Sequence, residues 1–248
     1  MRTPKNEKKY KLSIGILIII ILSLAWYLKP YTPMDEVEYI FEKTGEVNIE
    51  ENNWLIFKPE GIETNTGFIF YPGARVQSEA YALLAYDIAE LGYKVVIVSM
   101  PLNLAIFGVN EAARVMNECN EITDWVIGGH SLGGAMAARY AYHNIQKLSG
   151  LILLASYPAQ NNDLSDKEIN VLSIYSSNDG ITSLDKINDS RDNLPDDTGW
   201  VEINGGNHSQ FGWYGFQRGD NKAQISREKQ QSIIVNSIKK FMSRACQN

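Results

Sequence analysis

Covalent chemistry in this chain points first to one short segment. Gly129-His130-Ser131-Leu132-Gly133 fits the pattern G-x-S-x-G. An apolar run from Trp125 to Gly128 leads straight into it, and a run of helical character begins at Leu132. The five letters alone arise by chance in glycine-rich turns, so the flanking strand and helix carry the weight. A serine at such a turn sits in a strained backbone conformation, and small neighbours let the turn close. The helix start would place the Leu132 N–H, and the positive end of the helix dipole, beside a developing oxyanion. Ser131 is therefore the expected nucleophile.

A nucleophilic serine needs a base, and the chain holds three histidines. His130 lies inside the turn, where its side chain should point away from the attack path of Ser131. His143 falls near the end of the following helix and reads as a surface residue. His208 follows the last strand-like run, in Asn204-Gly-Gly-Asn-His208. The chain order serine, acid, histidine puts the base there. The acid should end the preceding strand, where Ser177-Asn-Asp-Gly180 places Asp179 at the tip. A carboxylate there can accept from the histidine Nδ1–H and hold its tautomer. Asp185 is the main rival; Asp163 and Asp166 precede the strand and are weaker. A second oxyanion donor is expected in Tyr71-Pro-Gly-Ala-Arg75. Pro72 has no N–H, so Ala74 is the candidate, beside Leu132.

These residues need a scaffold. Val47–Ile49 and Trp54–Phe57 read as two strands of a hairpin, and Thr66–Tyr71 as a third strand. Helical spacing from Ser78 to Leu91 stops at Gly92, and Val95–Val98 is a buried strand. Further helices are expected over Glu111–Cys119, Leu132–Asn144, Ile181–Asn193 and Arg227–Ala245. Strands are expected at Trp125–Ile127, Leu151–Leu154, Val171–Ile174 and Trp200–Ile203. Apolar strands alternating with helices imply an α/β fold with a mostly parallel sheet and helices on both faces. No connection is long enough for a large cap domain; Tyr157 to Asn170 is the longest. The site should be open.

The N-terminus reads differently. Arg2, Lys5, Lys8, Lys9 and Lys11 precede an uncharged run from Leu12 to Leu28 that Lys29-Pro30 ends. Such a run is just long enough to cross a bilayer, with Trp26 and Tyr27 at its far end. The expected organisation is a transmembrane anchor or signal segment at 1–30, a linker at 31–45 and the domain at 46–248. Positive charge before the run predicts a single-pass cell-membrane protein whose catalytic domain is extracytoplasmic. Cleavage near Ala25, giving a secreted protein, is the alternative. The net charge is −6, and more negative still without the basic start, so nucleic acid is not an expected partner. The two cysteines, Cys119 and Cys246, show no metal spacing, and their pairing stays open.

Gly128-Gly-His-Ser-Leu-Gly-Gly-Ala-Met-Ala-Ala-Arg-Tyr-Ala141 and Leu153-Leu-Ala-Ser-Tyr-Pro-Ala159 resemble small bacterial α/β-hydrolases of the dienelactone-hydrolase-like branch. Tyr71-Pro-Gly73, Met100-Pro-Leu-Asn-Leu-Ala105 and Gly205-Gly-Asn-His-Ser-Gln-Phe-Gly212 look like the same group. The resemblance spans roughly residues 45 to 245. It implies the α/β-hydrolase fold, a Ser131–Asp179–His208 triad, hydrolysis of esters or related acyl substrates, and no metal or cofactor. Met100, Tyr157, Phe211 and Trp213 are candidate pocket residues, with packing beneath the site an equal reading for the aromatic pair. Acyl transfer, thioester or peptide cleavage, and a non-catalytic membrane-tethered binding role remain alternatives.

Overall fold

The computed structural model describes residues 13–19, 29–43 and 45–246. Residues 1–30 and 31–248 form separate compact units. In the first, residues 13–19 are helical and carry exposed isoleucines. Among the described residues no helix is long and apolar enough to cross a membrane. The anchor expected over 12–28 lies largely outside the described residues, at 12 and 20–28.

The second unit is built on one eight-stranded sheet, in the order β1-β2-β4-β3-β5-β6-β7-β8. Its strands are β1 (Val47–Glu51), β2 (Trp54–Pro59), β3 (Thr66–Tyr71), β4 (Lys94–Val98), β5 (Asp124–His130), β6 (Gly150–Leu154), β7 (Asn170–Ser176) and β8 (Gly199–Ile203). β2 is antiparallel to both β1 and β4, and every pairing from β4 through β8 is parallel. Central strands β3, β4 and β6 are buried along their whole length. That suits strands covered on both faces, and it explains why they read as continuous apolar runs.

Alternation along β3 divides the core. Phe68 and Phe70 join one cluster with Leu84, Ile88, Ile234 and Phe241. Ile69 and Tyr71 join the other, with Val115, Ala137 and Tyr140. One face thus carries α2 (Ala82–Ala89) and α6 (Arg227–Ala245). The opposite face carries α3 (Glu111–Glu118) and α4 (Leu132–His143). A short helix, α5 (Leu184–Asp189), follows β7. The helix expected over 78–91 begins as a 3₁₀ turn, Ser78–Tyr81, before α2. No helical cap interrupts the connection after β6; it folds down, with Leu164 buried and its N–H donating to Asn193 O.

Residues 31–45 are a correction to the expected linker. Tyr31 bridges to Val76, and a 3₁₀ turn, Asp35–Val37, runs into α1 (Glu38–Glu42). Val37 and Ile40 fall on one side of that turn and are both 1% exposed in the first core cluster. The Met34 N–H donates to Trp213 O. Two buried apolar residues at helical spacing give this stretch a reason to dock that a solvated linker lacks. Cys119 and Cys246 are both free thiols.

Docking of this segment is testable. Ile40→Ala should lower the unfolding free energy by about 2–5 kcal/mol in a urea titration. A change below about 0.5 kcal/mol, as for a surface position, would return the segment to linker status.

Candidate active site

β3 and β5 are parallel neighbours although β4 lies between them in sequence, so the connections from their carboxyl ends leave toward opposite edges of the sheet. Crevices that take ligands form at such points. Tyr71, the last residue of β3, pairs with Gly129 of β5. This register sets the loop after β3 beside Ser131.

Ser131 caps α4 with φ 53° and ψ −123°. That is a sparsely populated conformation for a residue with a Cβ, costing about 1–3 kcal/mol. The neighbours that hold it are specific. Its N–H donates to Leu154 O of β6, and its carbonyl accepts from the Ser156 hydroxyl at 2.7 Å. Both motif glycines abut one atom, the Tyr71 carbonyl oxygen. A Cβ on Gly129 would come within 2.4 Å of it, and a Cβ on Gly133 within 2.1 Å. Backbone contact at that range leaves no room for any side chain, so the two glycines of G-x-S-x-G are required by the packing of β5 and α4 against the end of β3.

Asp179 and His208 meet. His208 Nδ1 lies 2.7 Å from Asp179 Oδ2, with both side chains essentially buried. Asp179 Oδ1 accepts from the N–H groups of Ile181 and Thr182, each at 2.7 Å. With two backbone donors and the imidazole on it, the carboxylate is fixed in place. An Nδ1–H donated to Asp179 leaves Nε2 as the acceptor of the neutral ring. Nε2 is buried and has no hydrogen-bond partner among the described residues, so Ser131 Oγ is not hydrogen-bonded to it in this structure. Catalytic contacts of this kind are often long before substrate arrives. The rival acids Asp163, Asp166 and Asp185 are all exposed, whereas His208 is wholly buried.

The loop after β3 leaves one backbone donor over. Gly73 N–H donates to the Tyr81 hydroxyl at 3.0 Å, Arg75 N–H to Asn103 O and Val76 N–H to Gly73 O. Pro72 has none to give, so Ala74 N–H is the group in that loop with no acceptor among the described residues. Leu132 begins α4, where first-turn N–H groups lack intrahelical acceptors.

The other sequence candidates fall into place around this. His143 is exposed at the end of α4. His130 is fully buried and stacked on Phe211, ring centroids 5.5 Å apart. Phe211 is itself wholly buried, and Trp213 lies under the Arg227 guanidinium, so both pack rather than offering open surface. Met100 is nearly buried in the second core cluster, and Tyr157 is half-buried.

Residues that no sequence motif marks hold the loops of Asp179 and His208 together. Asp220 Oδ1 accepts from the N–H groups of Gly180, Asn221 and His208, at 3.0, 2.8 and 3.3 Å. Its Oδ2 takes the N–H and hydroxyl of Ser209. One carboxylate thus ties the loop of Asp179 to the loop of His208. Gln230 on α6 forms a two-way hydrogen bond with the Asn207 backbone. Arg227 donates to the carbonyls of Ser209, Gly212 and Gly215. Gly219-Asp220-Asn221 reads as an ordinary turn, which is why no sequence signal marks it.

Removing the Asp220 carboxylate strands several backbone donors at once. Asp220→Ala should lower the unfolding free energy by about 1.5–3 kcal/mol, measured in urea. Equal stability of variant and parent would show that water replaces the carboxylate without cost.

The model of the Alpha/beta hydrolase family matches residues 67–232. Among solved structures, Est1E from Butyrivibrio proteoclasticus superposes with a TM-score of 0.62 at 13% identity, over 82% of this chain and 100% of its own. TT1662 from Thermus thermophilus gives 0.60 at 12% identity, over 82% and 100%. The esterase domain of a Rhodothermus marinus protein gives 0.59 at 12%, over 80% and 97%. No curated protein matches the sequence. Identities this low speak for a shared fold alone, but the family pattern runs through more than half of the residues, from β3 to the first turns of α6, and the chain belongs to the Alpha/beta hydrolase family.

Proposed function

We propose that the protein is a serine hydrolase of carboxylic esters, with Ser131 as nucleophile, His208 as base and Asp179 as the orienting acid. The observation that carries this is the buried 2.7 Å contact of His208 Nδ1 with Asp179, which leaves Nε2 without a partner among the described residues. A buried, unsatisfied acceptor is costly, and a reaction that needs a proton acceptor there gives it a use. The strained Ser131 backbone at the start of α4 supports the same reading.

In the proposed cycle Ser131 Oγ attacks the ester carbonyl as His208 Nε2 takes its proton. The imidazolium so formed is stabilised by Asp179. Leu132 and Ala74 N–H groups receive the oxyanion, a preorganised pair that costs no rearrangement as charge develops. His208 returns its proton to the departing alkoxide, and the alcohol leaves an acyl-enzyme. Water, deprotonated by the same imidazole, then attacks the acyl carbonyl and frees the acid and Ser131. This cycle draws on no metal or cofactor. The names of the similar structures, one an esterase domain and one Est1E with bound ferulic acid, favour esters over other acyl compounds. Membership of the dienelactone-hydrolase-like branch is part of the proposal and rests on the motifs around Ser131 and His208.

We also propose that the apolar run at 12–28 anchors the chain in the cell membrane with the hydrolase domain outside. Membrane fractionation and protease accessibility of intact cells would reveal a soluble or inward-facing protein if that is wrong.

The activity is tested with p-nitrophenyl esters of graded acyl length, using the full chain in mild detergent. Ser131→Ala should lose several decades of kcat, on the order of 10⁶ where the corresponding serine has been removed from a serine protease. Equal turnover by parent and variant would remove Ser131 from the chemistry. Product formed only when an added alcohol or amine is present would make the protein an acyltransferase.

A further inference from the structure

His130 and His208 are both wholly buried, and their ring centroids lie 4.4 Å apart. Two imidazoles this close cannot both hold a proton comfortably, and one of them is the proposed base. His130 Nδ1 lies 2.9 Å from the Tyr81 hydroxyl. The same hydroxyl oxygen accepts the Gly73 N–H at 3.0 Å. Three parts of the site therefore touch in sequence: the oxyanion loop, Tyr81, and the ring that faces the base. The fit is close, because a Cβ on Gly73 would come within 2.8 Å of His130 Nδ1 and 3.0 Å of the Tyr81 hydroxyl oxygen.

We propose that Tyr81 and His130 act as a positioning couple: the Tyr81 hydroxyl accepts from Gly73 N–H, donates to His130 Nδ1, and so holds a neutral imidazole against His208. The inference rests on the reading of Ser131, His208 and Asp179 as the hydrolytic unit.

Proton counting gives the direction of the bond. A hydroxyl has one proton and two lone pairs. If His130 Nδ1–H donated instead, the Tyr81 proton would be left buried without a partner, and Nε2 would become an unsatisfied acceptor. Donation by Tyr81 uses its proton and puts the His130 proton on Nε2, which has no acceptor among the described residues, so one buried group rather than two is left unsatisfied. Neutrality of His130 matters because the reaction places a positive charge on His208. A cation already on His130 would oppose that charge at close range, where little water screens it. Burial first, and the charge of His208 second, push the His130 pKa well below the ordinary imidazole range. The His208 carbonyl draws it the other way, though without hydrogen-bonding geometry to Nε2. The groups that face His130 are Tyr81, His208, Phe211 and Tyr214, none of them a carboxylate. The Asp179 carboxylate is bonded to His208 Nδ1. The single hydroxyl also ties the Gly73 backbone, one residue before the Ala74 donor, to the ring beside the base.

The chain has only three histidines, so their ring nitrogens can be followed individually by ¹⁵N NMR, assigned with single histidine variants. In the parent, His130 is expected as the neutral Nε2–H tautomer throughout about pH 5 to 8. In Tyr81→Phe it should take up a proton, or change tautomer, within that range. Ester turnover gives the second readout. Tyr81→Phe should lower kcat about tenfold with KM little changed, and add an ionisation to the acid limb of the pH profile. Adding His130→Asn, which cannot carry the charge, should remove that extra ionisation. A parent His130 found as the Nδ1–H tautomer or charged near neutrality would overturn the proposal. So would a Tyr81→Phe protein with an unchanged His130 spectrum and pH profile. Should Tyr81→Phe fail to fold, the parent tautomer decides alone. The spectrum needs no turnover, so an inactive parent with the expected His130 would count against ester hydrolysis and not against the couple.

Discussion

The Tyr71 carbonyl oxygen sits where β5 turns into α4, with the Cβ positions of Gly129 and Gly133 pressed against it. Close approach of three backbone segments at this point fixes where Ser131 stands relative to the loop after β3. It also explains why the residue at the turn itself adopts a positive φ. The strand must end and the helix begin within one residue, because a longer turn would lift α4 off the sheet. Strain at Ser131 is then maintained by its neighbours, through Leu154, Ser156 and the Tyr71 carbonyl, rather than by its own preference.

On the other side of the site no such packing of regular elements exists. Asp179 and His208 stand on loops after β7 and β8, joined by a backbone bond from Asn178 N–H to Gly206 O. Side chains add to that link. Asp220 joins the two loops, while Gln230 and Arg227 fasten the His208 loop to the start of α6. The contacts to the backbone of His208, Asn207 and Ser209 satisfy buried or half-buried groups, while the Gly180 N–H is exposed. The terminal helix therefore does two things. Its apolar face, with Ile234, Ile238 and Phe241, closes the core. Its first turns hold the loop of His208 through Gln230 and Arg227.

The aromatic and imidazole cluster of Tyr81, His130, Phe211 and Tyr214 links the two halves. It reaches from the loop after β3, through the Tyr81 hydroxyl, to the ring beside His208. In a buried network of this kind a change at one member is felt by the others. The loop after β3, the turn of Ser131 and His208 thus meet at one set of buried side chains.

Much of this is legible in the sequence, for identifiable reasons. Continuous apolar runs in β3, β4 and β6 announce strands buried on both faces, and the spacing in 227–245 gives the bounds of α6 as the structure has them. The serine turn is legible because its glycines answer a local steric demand. Residues 31–45 read as a linker because, among the described residues there, only Val37 and Ile40 are fully buried in the core, too few to set a periodic pattern. Asp220 is invisible because its partners, Gly180 and Ser209, lie 40 and 11 residues away and take part through backbone N–H groups, which nearly every residue offers. Apart from 31–45, the sequence by itself determined which elements form and which residues could be nucleophile, acid and base, since periodicity and local turn chemistry are properties of short stretches. Only the tertiary structure decided that Asp179 rather than Asp185 meets His208, and that His130 turns toward Tyr81 and the base. Those contacts depend on how distant loops are brought together, which no short stretch of sequence records.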